Sequence, residues 1–178
     1  MADEMLMFST AVVNLFGKGL RDVETPEFHA ELKKLGIDLD RPLPGYPFEL
    51  WERALNLTKP LFPHLSADQL QEELGRRTVE GSTSNPILKA VLAAVGIIGV
   101  TRGLKRITAR SGAHSTNVIS FGEETKNSLV LSSIRAGNSA HYGVGSYKAL
   151  VGLLGGKNPR VQILAFNEPA ATWRVEWD

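Results

Sequence analysis

The 178-residue chain has no cysteine, which excludes disulfide bonds, thiolate metal sites and a cysteine nucleophile together. Any metal would have to rest on four histidines and the carboxylates. A cysteine-free chain is also indifferent to redox compartment. Net charge is nearly absent: 20 Lys and Arg against 19 Asp and Glu leave +1. Nothing draws the whole molecule to nucleic acid or an anionic membrane, so such binding would have to come from a local patch. Long apolar runs are missing too. The longest, Ala90 to Val100, falls far short of the roughly 20 residues that span a bilayer, so no transmembrane segment is expected. Asp3 and Glu4 stand where a secretion signal carries Lys or Arg, and Ser9, Thr10 and Asn14 break the apolar residues that follow. A cytoplasmic location is expected, with the Asn56-Leu57-Thr58 sequon a coincidence.

Catalytic constellations are equally scarce. His29, His64, His114 and His141 fall in different elements, with no i,i+4 pair and no carboxylate at metal spacing, so no metal site is expected. An enzyme would need His114 or His141 to converge with Glu123, Glu124 or Ser133, and the sequence gives no reason to expect that. Gly143-Val144-Gly145 resembles the start of a dinucleotide fingerprint, but Lys148 stands where the third glycine belongs and no βαβ unit surrounds it. Gly152 to Lys157 fails as a phosphate loop, because Val151 holds the first glycine position and Asn158 replaces the Ser or Thr that would hold magnesium. No catalytic residue and no cofactor is assigned, and the chain is not expected to be an enzyme.

What is present is an ordinary globular composition, 43% hydrophobic and 22% charged, with a length that suits one domain over residues 1–178. Val12, Val13, Leu15, Phe16 and Leu20 predict a short helix over 9–20, weakened by Gly17 and Gly19. Thr25-Pro26 starts a helix over 26–35 that Gly36 stops. Residues 38–45 are irregular, Pro47 opens a helix holding Phe48, Trp51 and Leu55 inward, and Pro60 ends or kinks it. Ser66 caps the next helix, with Leu70, Leu74 and Val79 inward. Tyr46, Phe48, Trp51 and Phe62 are read as core.

Asn85-Pro86 restarts the chain into a helix over 86–98. Between Ala90 and Val100 there is no polar side chain, and Gly96 and Gly99 leave notches for close approach. This segment is expected to be buried. A basic segment over 101–110 follows, with Arg102, Lys105, Arg106 and Arg110 near one helical face. Two readings stay open for it: a patch that grips an anion or an acidic partner, or a solvated face near a helix C-terminus, where cations are favoured anyway. No aromatic residue is interleaved for base stacking, so nucleic acid is not expected.

After Gly112 the period becomes alternating. Residues 115–121 and 128–135 predict a hairpin around the polar loop Glu123 to Asn127. A helix follows over 141–154, then strands over 160–166 and 171–177, the last with Trp173, Val175 and Trp177 on one face. The fold class is therefore α+β: a helical N-terminal part, about 9–110, packed on a four-stranded antiparallel sheet of ββαββ order, about 114–177. Helices 86–98 and 141–154 are the expected cover of one sheet face.

Several ordered phrases carry a family resemblance: Gly36-Ile37-Asp38-Leu39-Asp40-Arg41-Pro42-Leu43, Tyr46-Pro47 with Trp51, Leu61-Phe62-Pro63, Leu74-Gly75-Arg76-Arg77, Val161 and the closing Trp177. Together they resemble a paralogous family of unknown function expanded in myxobacteria. More distantly, the order of elements is similar to the ligand-binding superfamily of haem–nitric-oxide sensors, vinyl-reductase-type small-molecule-binding domains and vesicle-tethering trafficking subunits. That likeness implies helices on an antiparallel sheet around an apolar pocket for haem or an acyl chain. Haem members place a His on the long buried helix and a Tyr-x-Ser-x-Arg motif on a strand. Here Leu131-Ser132-Ser133-Ile134-Arg135 keeps Ser and Arg with Leu for Tyr, and no His lies between Asn85 and Arg110.

The resemblance thus implies a pocket lined by Ala90, Ala94 and Gly96, with Ser133 and Arg135 toward an anionic head group. The alternative is that small residues merely allow close helix–sheet packing while Arg135 lies at the surface. The function expected is a non-enzymatic regulatory or adaptor domain, sensing a small apolar or acyl ligand and acting through a protein partner or a homodimer. Its alternative is a structural interaction module with a filled core and an exposed apolar surface over 9–20.

Overall fold

The computed structural model describes residues 6–84, 90, 94, 97–109, 118–134, 136–137 and 139–178. Strand β1 (Leu6–Phe8) runs into the short helix α1 (Ser9–Val12), which continues as a π-helix over Val13–Gly19. Leu20 N–H donates to the Leu15 carbonyl at 3.0 Å, the five-residue span of that wider coil. Helix α2 (Pro26–Lys34) starts as expected, with Thr25 accepting from Phe28 N–H and Pro26 at the first helical position. A second short strand, β2 (Gly45–Pro47), pairs antiparallel with β1. It lies where the sequence suggested only irregular chain and the start of a helix.

Helix α3 (Phe48–Asn56) ends before Pro60, and a 3₁₀ turn over Lys59–Leu61 takes the chain to α4 (Ala67–Ser82). The α4 start is a capping box in which Ser66 and Gln69 satisfy each other's backbone N–H groups. These elements enclose one core of Val12, Leu15, Phe16, Leu20, Phe28, Leu32, Ile37, Tyr46, Trp51, Leu55, Phe62, Leu70 and Leu74. Phe16 sits at its centre, 5.3 Å from Trp51 and 6.1 Å from Phe28 between ring centroids. Residues 9–20 are therefore not an exposed docking surface: Val12, Leu15, Phe16 and Leu20 are fully buried.

The C-terminal half holds α5 (Val100–Ala109), strands β3 (Ile119–Thr125) and β4 (Ser128–Ser133), α6 (His141–Leu153), and strands β5 (Arg160–Asn167) and β6 (Ala170–Glu176). The four strands form an antiparallel sheet in the order β3-β4-β6-β5. The α+β class and the ββαββ order are those expected. The hairpin turn is tighter, because β3 extends through Glu123 and Glu124. β3 is an edge strand, and an edge tolerates charged residues that face water.

A second core forms on one face of this sheet. It joins Leu129 and Leu131 of β4, Ala171, Trp173 and Val175 of β6, and Trp177 to Leu104 of α5 and to Val144, Tyr147 and Val151 of α6. The other face is more polar, with the Ser132 and Thr172 hydroxyls 2.9 Å apart and Arg174 bonded to Glu123. One cover of the sheet is thus helix 141–154, as expected. The second described cover is α5, through Leu104, and most of helix 86–98, the other expected cover, lies outside the described residues. Within that run the described residues Ala90, Ala94, Ile97 and Ile98 are exposed, Ile97 to 87%.

Candidate ligand-binding face

The inner face of the sheet is built in cross-strand rows. Leu129 stands beside Val175 and then Val161; Leu131 lies between Phe121 and Trp173, with Ile163 beyond; Ser133 lies between Ile119 and Ala171, with Phe166 beyond. Alternation along β4 puts Leu129, Leu131 and Ser133 on this face, and all three are buried. A register irregularity in β5 between Ile163 and Ala165 brings Phe166 into the Ser133 row, where it remains 40% exposed.

Ser133 is chemically distinct here. The other buried polar residues, Thr58 and Thr108, bond back to carbonyls of their own helical turns, at 2.6 Å to Leu55 and 2.7 Å to Leu104. Ser133 lies within a wall of aliphatic and aromatic side chains, 2% exposed.

Helix α6 covers this wall and connects it to the N-terminal core. Trp173 Nε1 donates to the Ala140 carbonyl at 2.9 Å, fixing the indole under the start of α6. Gly143 lets the same ring lie flush against the helix, since a Cβ there would fall 2.6 Å from the ring. Tyr147 packs edge-on to Trp173 at 5.3 Å, and burial pushes its phenol pKa up. On the opposite side of α6, Tyr142 meets Trp51 edge-on and donates to Thr78 Oγ1 at 2.7 Å. Ser146 donates to the Tyr142 carbonyl and to that of Gly75, and Lys148 bonds Glu72. The Gly143-x-Gly145 pair is therefore a packing device for two neighbours of one helix, not a nucleotide loop.

Of the residues assigned from sequence, Ser133 occupies the inner face, whereas Ala90 and Ala94 are exposed and do not line the interior. The small side chains that suggested a lining carry no polar signal to say which way they face. Gly96 and Arg135 lie outside the described residues. In the basic segment, Lys105 pairs with Glu124, Arg102 and Arg106 are exposed, and Arg110 lies outside the described residues. His141 is 3.5 Å from Asp68, Glu123 pairs with Arg174, and His114 lies outside the described residues. The sequence reading missed Tyr147 and Trp173 as an edge-on pair, because one belongs to a helix and the other to a strand.

A charged cluster lies on α4. Arg77 bonds Glu73 at 2.6 Å, Asp22 at 2.5 Å and the Gly19 carbonyl at 2.8 Å, with its guanidinium over the Phe62 ring. Arg76 pairs with Glu73 and Glu80. The hydrogen bond from Arg77 holds the Asp22 carboxyl below the usual range. Burial alone would raise Glu73, but bonds from both arginines outweigh it and lower its pKa. With each of these arginines satisfied locally, the cluster pins α4 to the end of the π-helix.

Several solved structures share this fold. An oxygen-binding H-NOX domain related to soluble guanylate cyclases, in its oxygen complex, is 16% identical with a TM-score of 0.63, over 97% of this chain and 95% of that one. An H-NOX protein mutant from K. algicida, Fe(II) and unliganded, is 13% identical with a TM-score of 0.61, over 97% of each chain. A structure from work on haem redox potential and porphyrin distortion is 15% identical with a TM-score of 0.65, over 96% of this chain and all of that one. At these identities the likeness concerns the fold.

The described residues do not fit a haem. Iron takes an axial His, Cys, Tyr or Met. The residues that α5 turns inward are Gly103, Leu104 and Thr108, and the described histidines are engaged elsewhere (His29 with Glu24, His141 with Asp68) or exposed at His64. Tyr147 faces the interior, packed edge-on against Trp173. Among the described residues no cluster of His, Cys, Asp and Glu could hold a metal ion.

Among curated proteins, none matches the chain in sequence. A family model does, over residues 5–178, nearly the whole length. That match over nearly the whole length places the chain in the DUF2378 family of proteins of unknown function.

Proposed function

We propose that this chain is a non-enzymatic, cytoplasmic regulatory or adaptor domain that takes a small apolar or acyl ligand against the inner face of its sheet. It acts through a protein partner or a second copy of itself. The observation that carries this reading is the Ser133 row: one buried hydroxyl at the end of an apolar wall, in a row that closes at Phe166 with an exposed ring. Such a wall recognises an aliphatic body, and Ser133 marks the polar end of the row. The Ser133-x-Arg135 pattern in the sequence adds a cation for an anionic head group. The structural neighbours include an oxygen complex and a structure from work on haem redox potential, which makes a small-ligand role a natural use of this fold.

A second reading is favoured by a specific observation. Leu104, Leu129, Leu131, Val151 and Val175 are completely buried, so the part of the wall beneath α5 and α6 is filled by the chain's own side chains. A purely structural interaction module would look the same there. Native mass spectrometry of the purified protein separates the two. The ligand reading expects a bound apolar or acyl mass that is released on unfolding. A protein that flies empty after mild purification, and takes up no fatty acid or long-chain alcohol when offered, refutes it in favour of the interaction module.

A further inference from the structure

The segment that was expected to be buried carries the strongest unused feature of the molecule. Ala90, Ala94 and Ile97 are helical and exposed. Ile97 is 87% and Ile98 41% exposed, in a stretch with no polar side chain from Ala90 to Val100. Exposed aliphatic surface of this kind marks a docking site. Charge says what docks there. From Gly81 to Gly122 the chain has no Asp or Glu but carries Lys89, Arg102, Lys105, Arg106 and Arg110, a net +5 that leaves the rest of the molecule at −4.

On α5, Arg102 and Arg106 are exposed one turn apart, and neither pairs with a carboxylate among the described residues. Ile98 and Arg102 line one open cleft together with Lys126, Trp177 and Glu124, whose carboxylate is paired with Lys105, so the oily and the cationic features adjoin.

We infer that this face docks on an anionic lipid surface, with Ile97 and Ile98 entering the acyl boundary and Arg102, Arg106 and Lys126 meeting the head groups. An amphipathic segment of this composition lies in the interface, because an apolar run of this length is too short to cross. Among the described residues no helix is long and apolar enough to span a membrane. A nucleic acid would call for aromatic stacking partners, and the exposed residues here are aliphatic. A second copy would bring the same +5 segment against itself. The inference is independent of what the interior holds.

Vesicle flotation with the full chain tests it, using phosphatidylcholine alone and phosphatidylcholine with phosphatidylserine. The expected result is binding to the anionic vesicles that weakens with added salt and is at least tenfold weaker on neutral ones. Arg102→Gln with Arg106→Gln should lose about fivefold per cation, and Ile97→Ser with Ile98→Ser about tenfold, without change in the circular dichroism melt. Ile97→Asp alone gives a second, independent variant at the most exposed position. No flotation of the wild-type chain, or flotation that both variant pairs leave unchanged, overturns the inference. A concentration-dependent dimer that the isoleucine variants disperse, without vesicle binding, overturns it in favour of a second copy. Retention by duplex DNA or RNA but not by vesicles overturns it in favour of nucleic acid.

Discussion

Gly145 on α6 rests directly on the backbone of Glu72 on α4: a Cβ at 145 would stand 1.7 Å from the Glu72 carbonyl oxygen. Gly75 makes the reciprocal contact, with its would-be Cβ 2.0 Å from the Tyr142 carbonyl oxygen. Two helices so close join the N-terminal core to the sheet core, since Tyr142 packs on the first and Tyr147 on the second.

Gly145→Ala or Gly75→Ala should therefore destabilise the protein by about 3 kcal/mol or more, because the obstacle is backbone and cannot swing aside. Gly152, on the same helix with nothing near its Cβ position, is the control. Gly152→Ala should be neutral or stabilising by up to about 1 kcal/mol. Urea unfolding of the three variants measures the contrast. Equal effects at 145 and 152 would disprove the close crossing.

Trp173→Phe keeps a ring on Gly143 but removes the donor to the Ala140 carbonyl. A loss of about 1–2 kcal/mol is expected, read from denaturant midpoints with an unchanged slope.

The Arg77 cluster sets a pH dependence. Asp22 and Glu73 both titrate below their unfolded values, so the stability they contribute is fully present above pH about 4 and is lost as pH falls through their folded values. Arg77→Met should cost about 1–2 kcal/mol near neutrality. The gap to wild type should then shrink on acidification below about pH 4. Thermal melts of both proteins across the acid range check the sign, and a gap that widens there contradicts it.

Tyr147 acts at the other end of the scale. Its phenol pKa is raised by burial, so its contribution is complete below the unfolded value of about 10 and is lost as pH rises above it. Tyr147→Phe should flatten the alkaline fall in stability. An alkaline profile identical to wild type would show that the phenol reaches water.

For the ligand face, Ser133→Ala should keep the fold and reduce the amount of co-purifying polar-headed ligand at least tenfold, whereas the outer-face change Thr172→Ser should leave it unaltered. Mass spectrometry of matched preparations gives the comparison.

Much of the architecture was legible in the sequence because it is locally encoded. Thr25-Pro26 and Ser66 mark helix starts by hydrogen bonds made within four residues, and the alternation of Trp173, Val175 and Trp177 survives intact as a buried face. Strands β1 and β2 were illegible, because three residues each carry no period and are defined only by pairing with each other. The glycine pair at 75 and 145 could not be matched from spacing, since the partners are far apart in the chain. The reading of Ala90 and Ala94 as lining failed for a related reason: composition says that a segment is oily but not whether its cover is the protein or something outside it. Ser133 entered only through the family motif; its side of the sheet follows from strand alternation once Leu129 and Leu131 are known to be inside.

The coil from Val13 to Gly19 makes the N-terminal end sensitive to length. Its five-residue hydrogen-bond span accommodates more residues per turn than an α-helix, and Asn14 and Gly19 meet Gly81 and Arg77 only in that wider winding. Deleting a single residue there would tighten the winding and rotate everything before it by roughly 100°. Leu6–Phe8 would swing off its β2 partner, so homologues that vary in length here must compensate within the same turn.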